Sequence, residues 1–432
     1  MIYTADWIVT QDDARTVVRD GALLVRDGLV GAVGPAAELV SANPGEQVDA
    51  LGRCAVFPGL VDAHCHLPMS LLRGRGDDKP LFAWLQEDIF PREARLSPED
   101  VRAGAELSLC ELARFGCTSF FDMYMLEENV FAAADAVGLR GVLGENVTRF
   151  YPQLGGASPE ELFARIRRNA AAWRGHPRLR PAVAPHAPYT TDPETLSACL
   201  ALSRELGCPL AMHLAETDDE TRTVLRERGA RPVAYCDSLG LLGPQSTFFH
   251  CVHLEPDEIA LLRERGCAVV HNPASNLKLA SGAAPAAAMS RAGLQVALGT
   301  DGPASNNAQN MVRELWLAAL LGKATAADPA AMTAQTALDM ATRGGAAALH
   351  DPGIGSLEPG KKADFFALSL AGFPNMEPAH DPVSALVYSA CGAENRLTVV
   401  GGDVIYRDGE FATVDYGEVL DRFGRACGRL FS

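Results

Sequence analysis

Alternation constrains this chain more than any other feature of its sequence. Between residues 57 and 352, eight short apolar runs recur: GLVDAH (59–64), CTSFFD (117–122), RGVLGEN (140–146), LRPAVAPH (179–186), CPLAMHL (208–214), STFFHC (246–251), CAVVHN (267–272) and LQVALGTD (294–301). Helical patterns separate them, such as SPEDVRAGAELSLCELARFG, where Ser97 and Asp100 supply N-terminal signals and Gly116 a stop. Buried strands alternating with helices predict an α/β fold of the TIM type, a (β/α)8 barrel over 57–352.

The two ends read differently. Residues 1–56 hold short alternating strands with turn punctuation, and 353–432 repeat the pattern in ADFFALSL and LTVVGGDVIYRDGE before a helix from about 416. Neither piece is large enough for a core of its own. They are expected to pair into one small β domain of sandwich type, with the barrel inserted between them.

Nearly every strand run ends in a polar residue: His64, Asp122, Glu145, His186, His213, His250, His271 and Asp301. In such barrels the C-terminal strand ends form the active face. His64 and His66 flank Cys65 on the first strand, so both imidazoles share a face while Cys65 points away. With His213 in AMHLAET and Asp301 in ALGTDG they make a donor set suited to one divalent ion with a position left open. Taken singly, His213 reads as a hydrogen-bonded core histidine and Asp301 as a helix cap; only the set points to a metal.

The ordered motifs PGLVDAHCHLPMSLLRG, HLAET, HCVHL, HNPASNLKLASG and LGTDGPASNN, with the closing GSLEPGKKADFFAL, resemble the amidohydrolase superfamily, and within it the branch of methylthioadenosine and S-adenosylhomocysteine deaminases. The likeness covers essentially the whole chain. It implies that His64, His66, His213 and Asp301 bind the metal, with zinc expected and iron, nickel or manganese also accepted by such a set. It implies that Glu216 protonates the ring nitrogen beside the reacting carbon. His250 would hold the attacking hydroxide and the tetrahedral adduct, and Asp301 would double as base. It also implies that Trp84, in the lid PLFAWLQEDIFPREARL, covers the base, that Glu93 binds the ribose hydroxyls, and that His186 touches the nucleoside. Without that likeness, Trp84 reads equally well as a core residue and Glu93 as a solvated charge.

Some superfamily members bridge two metals with a carboxylated lysine. This chain has five lysines, none between Lys79 and Lys278, so one metal is expected. Relatives acting on S-adenosylhomocysteine are similar in carrying arginine at the end of strand three, where this chain has Glu145. Glu145 is therefore expected to face the substrate and repel a carboxylate tail, favouring adenosine, 5′-deoxyadenosine or 5′-methylthioadenosine, with Arg149 as a potential counter-charge. The rival on the same site is deamination or dechlorination of another N-heterocycle, such as guanine, cytosine or a triazine. A non-catalytic scaffold is disfavoured, because every expected ligand and the proton carrier are present.

The formal charge of −16 repels phosphate backbones, which argues against a nucleic-acid polymer and for a small-molecule nucleoside. The eleven cysteines include no C-x-x-C pair and read as reduced thiols. With no leader pattern and no apolar run of membrane-spanning length, a cytoplasmic homo-oligomer without a membrane partner is expected.

Overall fold

The computed structural model describes residues 1–148 and 157–431. All eight expected strands form and lie in one parallel sheet in sequence order: Leu60–Cys65, Cys117–Tyr124, Arg140–Val147, Leu179–Pro185, Leu210–Leu214, Ser246–His250, Ala268–His271 and Gln295–Leu298. They are numbered one to eight below. The sheet closes between strands one and eight through a bridge between Cys65 and Asp301. Side chains of Val61, Phe121, Val142, Ala182, Ala211, Phe249, Val270 and Ala297 fill the interior, so the barrel is a packed core with its mouth at the strand ends.

Local chemistry sets the element ends. Ser97 accepts from the backbone N–H of Asp100, and the Asp100 carboxylate accepts from the N–H of Ser97. This reciprocal cap starts the helix Pro98–Arg114 and contributes about 1 kcal/mol. Gly116, at φ +81°, then turns the chain toward strand two; a side chain there would also strike Phe366.

The two ends of the chain meet in a single nine-stranded sheet. Cys54–Pro58 and Phe365–Ser369 pair antiparallel with Phe57 opposite Phe366, and those rings stack at 5.4 Å. The boundary expected at residue 56 falls inside the first of these strands. A buried pair joins the sheet to the barrel: Arg140, at the start of strand three, donates to Asp364 at 2.7 and 3.1 Å. The C-terminal helix Tyr416–Phe431 packs on Pro98–Arg114. Among the described residues no helix is long and apolar enough to cross a membrane.

Candidate metal and active site

At the barrel mouth the imidazoles of His64, His66, His186, His213 and His250 converge with the carboxylates of Asp301 and Glu216. His64 is fully buried, with its ring stacked on Phe249 at 3.7 Å and its neighbours His66 and His213 at 4.8 and 4.9 Å between ring centroids. The Asp301 carboxylate lies 3.3 Å from His64 Nε2 and 3.1 Å from His66 Nε2. Two overlapping groups, His64–His66–Asp301 and His64–His213–His250, each have their donor atoms within 4.8 Å of one another.

The surrounding hydrogen bonds orient these donors. His66 Nδ1–H donates to the Met123 carbonyl, and His213 Nδ1–H to the His186 carbonyl at 2.8 Å, leaving both Nε2 atoms facing the centre. Asp301 keeps one oxygen toward the histidines while the other accepts from Ser275 and Ser305 at 2.5 and 2.9 Å. Gly299 lets strand eight come against His64, whose backbone a side chain there would meet at 2.8 Å. Cys65 points away as expected, toward the Phe121 carbonyl.

This arrangement fits a cation. Neither ring nitrogen of His64 has a hydrogen-bond partner, a costly condition for a buried group. Burial depresses His64 to about 3, so its ring is neutral and free to donate a lone pair. Burial also works against charge on His66, yet the hydrogen bond to Asp301 lifts it to about 9. The donor atoms crowded around His64 match the set that a divalent ion takes up.

Candidate site residues sit on or beside strained turns. Ala215, His250 and Asp301 have φ of +50°, +69° and +61°, in the left-handed region that costs roughly 1–3 kcal/mol for such residues. The Glu220 carboxylate accepts from the N–H groups of Ala215 and Glu216 at 3.0 and 2.8 Å, holding the first turn and aiming Glu216 inward. Ser281 donates to Glu216 at 3.3 Å, and burial raises the Glu216 carboxyl above its ordinary value. His250 Nδ1–H donates to Asn276 at 2.8 Å, which turns Nε2 to within 3.9 Å of Glu216.

The cavity over this centre is lined by His66, His213, Glu216, His250 and Asp301 on one side and by the lid on another. Trp84 and Glu93 both line it. Nine positions apart, they would stand about half a turn out of phase on a straight α-helix. The lid instead runs as Leu81–Trp84, a wide π-type turn at Leu85–Ile89, and Phe90–Glu93. The wide turn absorbs an additional residue and rotates Glu93 back toward the pocket. Glu93 accepts from the Tyr124 hydroxyl at 2.7 Å, its other oxygen is unpartnered, and burial pushes its carboxyl up to about 7. His186 also lines the cavity, with Nδ1 on Thr190 at 2.8 Å.

One expected contact is absent. Glu145 does not face the cavity: it accepts from the N–H groups of Leu126 and Glu127 at 3.1 and 3.0 Å and from Arg165 at 2.6 Å. On strand three Leu143 and Val147 belong to the outer core and Val142 to the barrel interior, so Glu145 lies on the outward row. The residue that lines the cavity is its neighbour Asn146. Glu145 is thus not placed to repel a substrate carboxylate in the cavity, and Arg149 lies outside the described residues. The supports Ser275, Asn276 and Ser281 lie in or just after NPASNLKL, a stretch whose individual roles one sequence alone could not assign.

The amidohydrolase family model matches residues 55–405, most of the chain. The chain belongs to the amidohydrolase family. A short bacterial imidazolonepropionase-like composite domain also matches residues 21–45 of this amidohydrolase. A Desulfovibrio desulfuricans protein named 5-methylthioadenosine/S-adenosylhomocysteine deaminase is 50% identical over 95% of this chain and 92% of its own. A Halobacterium salinarum protein of the same name is 43% identical over 96% and 94%. Among solved structures, an adenosine deaminase from Xanthomonas campestris with bound zinc superposes with a TM-score of 0.94 at 36% identity, over 99% of this chain and 98% of that one. An atrazine chlorohydrolase from Arthrobacter aurescens shares the fold with a TM-score of 0.92 at 22% identity, over 99% of each chain.

Proposed function

We propose that the protein is a metal-dependent hydrolytic deaminase that converts the 6-amino group of an adenosine-type nucleoside to the inosine analogue and ammonia. The observation carrying this reading is the placement of Glu216 and His250 beside the donor cluster, each held by its own partner, Ser281 or Asn276. The names of the relatives and the zinc-bound deaminase with the same fold support it.

His64, His66, His213 and Asp301 would hold one divalent ion, with zinc the first candidate. Such an ion supplies the Lewis acidity that makes hydroxide available near neutral pH. Glu216, whose proton affinity burial raises, delivers a proton to the ring nitrogen beside the reacting carbon, neutralising the charge that develops there. His250, fixed by Asn276, presents Nε2 to the oxygen attacking that carbon. Asp301 takes up the proton that oxygen sheds and passes it to the amino group, so that the C–N bond breaks and the nitrogen leaves as ammonia. Trp84 closes over the base, Glu93 takes the ribose hydroxyls on its free oxygen, and His186 contacts the nucleoside. The buried free thiols fit a cytoplasmic setting, and a homo-oligomer without nucleic-acid or membrane partners completes the reading.

Ammonia release from adenosine, 5′-methylthioadenosine, guanine and cytosine, and chloride release from a chlorotriazine, before and after metal removal and zinc return, test the reading. Metal-dependent release from the adenosines alone supports it. Release from guanine or cytosine in preference would replace it with the rival.

A further inference from the structure

The motif HCVHL carries two histidines off the end of strand six, and only the first has a part in the reaction described above. His253 stands three residues beyond His250, in the turn that follows the strand. It is half-buried and lies outside the catalytic cavity, on a groove at the rim with Thr217, Asp218 and Arg222. Its backbone is clamped from both sides. The N–H donates to the Ala215 carbonyl at 3.0 Å, and Arg231 donates to the His253 carbonyl at 2.7 Å while pairing with Glu258 at 2.8 Å. The imidazole therefore projects from a fixed point.

That imidazole ends on the turn that supports Glu216. His253 Nε2–H donates to the Ser281 carbonyl at 2.8 Å. Ser281 sits between two residues of positive φ, Ala280 at +55° and Gly282 at +125°. A turn strained in this way persists only where its surroundings hold it. Besides the bond from His253, the Ser281 N–H donates to the Asn276 carbonyl at 2.8 Å. Gly282 packs so closely on the strand-six turn that an added side chain would stand 2.9 Å from Val252 and 3.6 Å from His253 Nε2. Held there, the Ser281 hydroxyl donates to Glu216 Oε1 at 3.3 Å. The bonds close a ring that runs from Ala215 to His253, on to Ser281 and Glu216, and back along the chain to Ala215.

Resting on the proposed nucleoside deamination, we infer that His253 is a positioning residue for the proton transfer. By fixing the Ser281 carbonyl it sets where the Ser281 hydroxyl meets Glu216, and so keeps that carboxyl aimed at the ring nitrogen. His253 lies off the cavity that takes the substrate, so its effect passes through Ser281. A loosened turn leaves the donor cluster in place but lets Glu216 shift. Misplacing a reacting group by about 1 Å costs up to about 10²-fold in rate. The reaction then slows although the substrate binds as before.

The experiment measures kcat, KM, zinc content and Tm for the wild type, His253→Leu, His253→Asn, His253→Gln, Ser281→Ala and the double variant His253→Leu/Ser281→Ala, with adenosine as substrate. Leucine has no donor. The asparagine amide falls short of the Ser281 carbonyl, whereas the glutamine amide reaches about as far as Nε2. His253→Leu and His253→Asn should lower kcat about tenfold, with KM within about twofold and zinc content unchanged. His253→Gln should recover most of that loss. In the Ser281→Ala background, His253→Leu should cost less than about twofold more, because the hydroxyl it positions is gone. Equal kcat in folded, zinc-loaded His253→Gln and His253→Asn overturns the inference even where His253→Leu does not fold. So does a loss that stays undiminished in the double variant. A wild type that releases no ammonia from any adenosine overturns the proposed reaction and the inference with it. A wild type that does, with kcat indifferent to residue 253, overturns the inference alone.

Discussion

The backbone N–H of Asp301 donates to the carbonyl of His64 at 2.8 Å, so the seam that closes the barrel runs through the donor cluster. Next to it, Thr300 donates its N–H and its hydroxyl to Asp62 at 2.9 and 2.6 Å. Barrel closure and the donor cluster thereby share the same residues, and binding an ion there should tighten the fold as well as equip the site.

Thr300→Val tests this coupling. It removes one donor to buried Asp62 and should destabilise the fold by about 1–3 kcal/mol. Saturating zinc should recover part of the loss, because a ligand that binds the folded chain stabilises it by mass action. Thermal melting with and without zinc reads both effects. A Tm loss that zinc leaves untouched would separate the seam from the site.

Glu216→Gln keeps the shape of the side chain and removes its proton transfer. The expected result is a fall in kcat of about 10²–10⁴-fold with metal content unchanged. Ser281→Ala, which removes the donor to Glu216, should have a smaller effect. Steady-state kinetics alongside metal analysis checks both, and a Glu216→Gln variant of near-wild-type kcat would remove Glu216 from the proton path.

Glu145→Ala should behave as a structural mutation. It strips Arg165 and two N–H groups at the start of the helix Glu127–Val137 of their acceptor. Leaving these donors without their acceptor costs about 1–3 kcal/mol. A chemical denaturation midpoint should fall clearly while relative substrate preference holds. A changed preference at unchanged stability would return Glu145 to the cavity.

What was legible in the sequence follows from how such a barrel is built. Parallel strands covered on both faces read as continuous apolar runs, so their number and order were plain, as were the polar residues at their ends. The same continuity hides which residues point inward. In RGVLGENV there is no alternation to separate the rows, and a shift of one residue exchanges Glu145 for Asn146. The wide turn of the lid has no sequence signature either, so Trp84 and Glu93 entered through resemblance, and only the fold explains how both reach one cavity. Ser275, Asn276 and Ser281 were visible as a motif, but their partners Asp301, His250 and Glu216 lie on other strands or turns and are joined only by tertiary structure.

Stability should also carry a pH signature away from the donor cluster. Glu314 is buried, accepting from Asn306 at 2.9 Å and from the Ala274 N–H at 3.2 Å. Burial outweighs those bonds and pushes its carboxyl from 4.5 up to about 8. The folded chain then holds a proton that the unfolded chain releases above 4.5, so this group's contribution is fully present below that value and is lost as pH rises toward 8. Urea midpoints across that window should decline more steeply in the wild type than in Glu314→Gln. Equal slopes would show that Glu314 ionises normally.

The most direct test of the account is turnover of adenosine by the zinc-loaded protein in heavy-oxygen water. The account predicts ammonia and an inosine product in equal amounts, with the label in the purine ring at the carbon that lost nitrogen. Zinc-loaded protein that releases no ammonia, or product without the label, would contradict it.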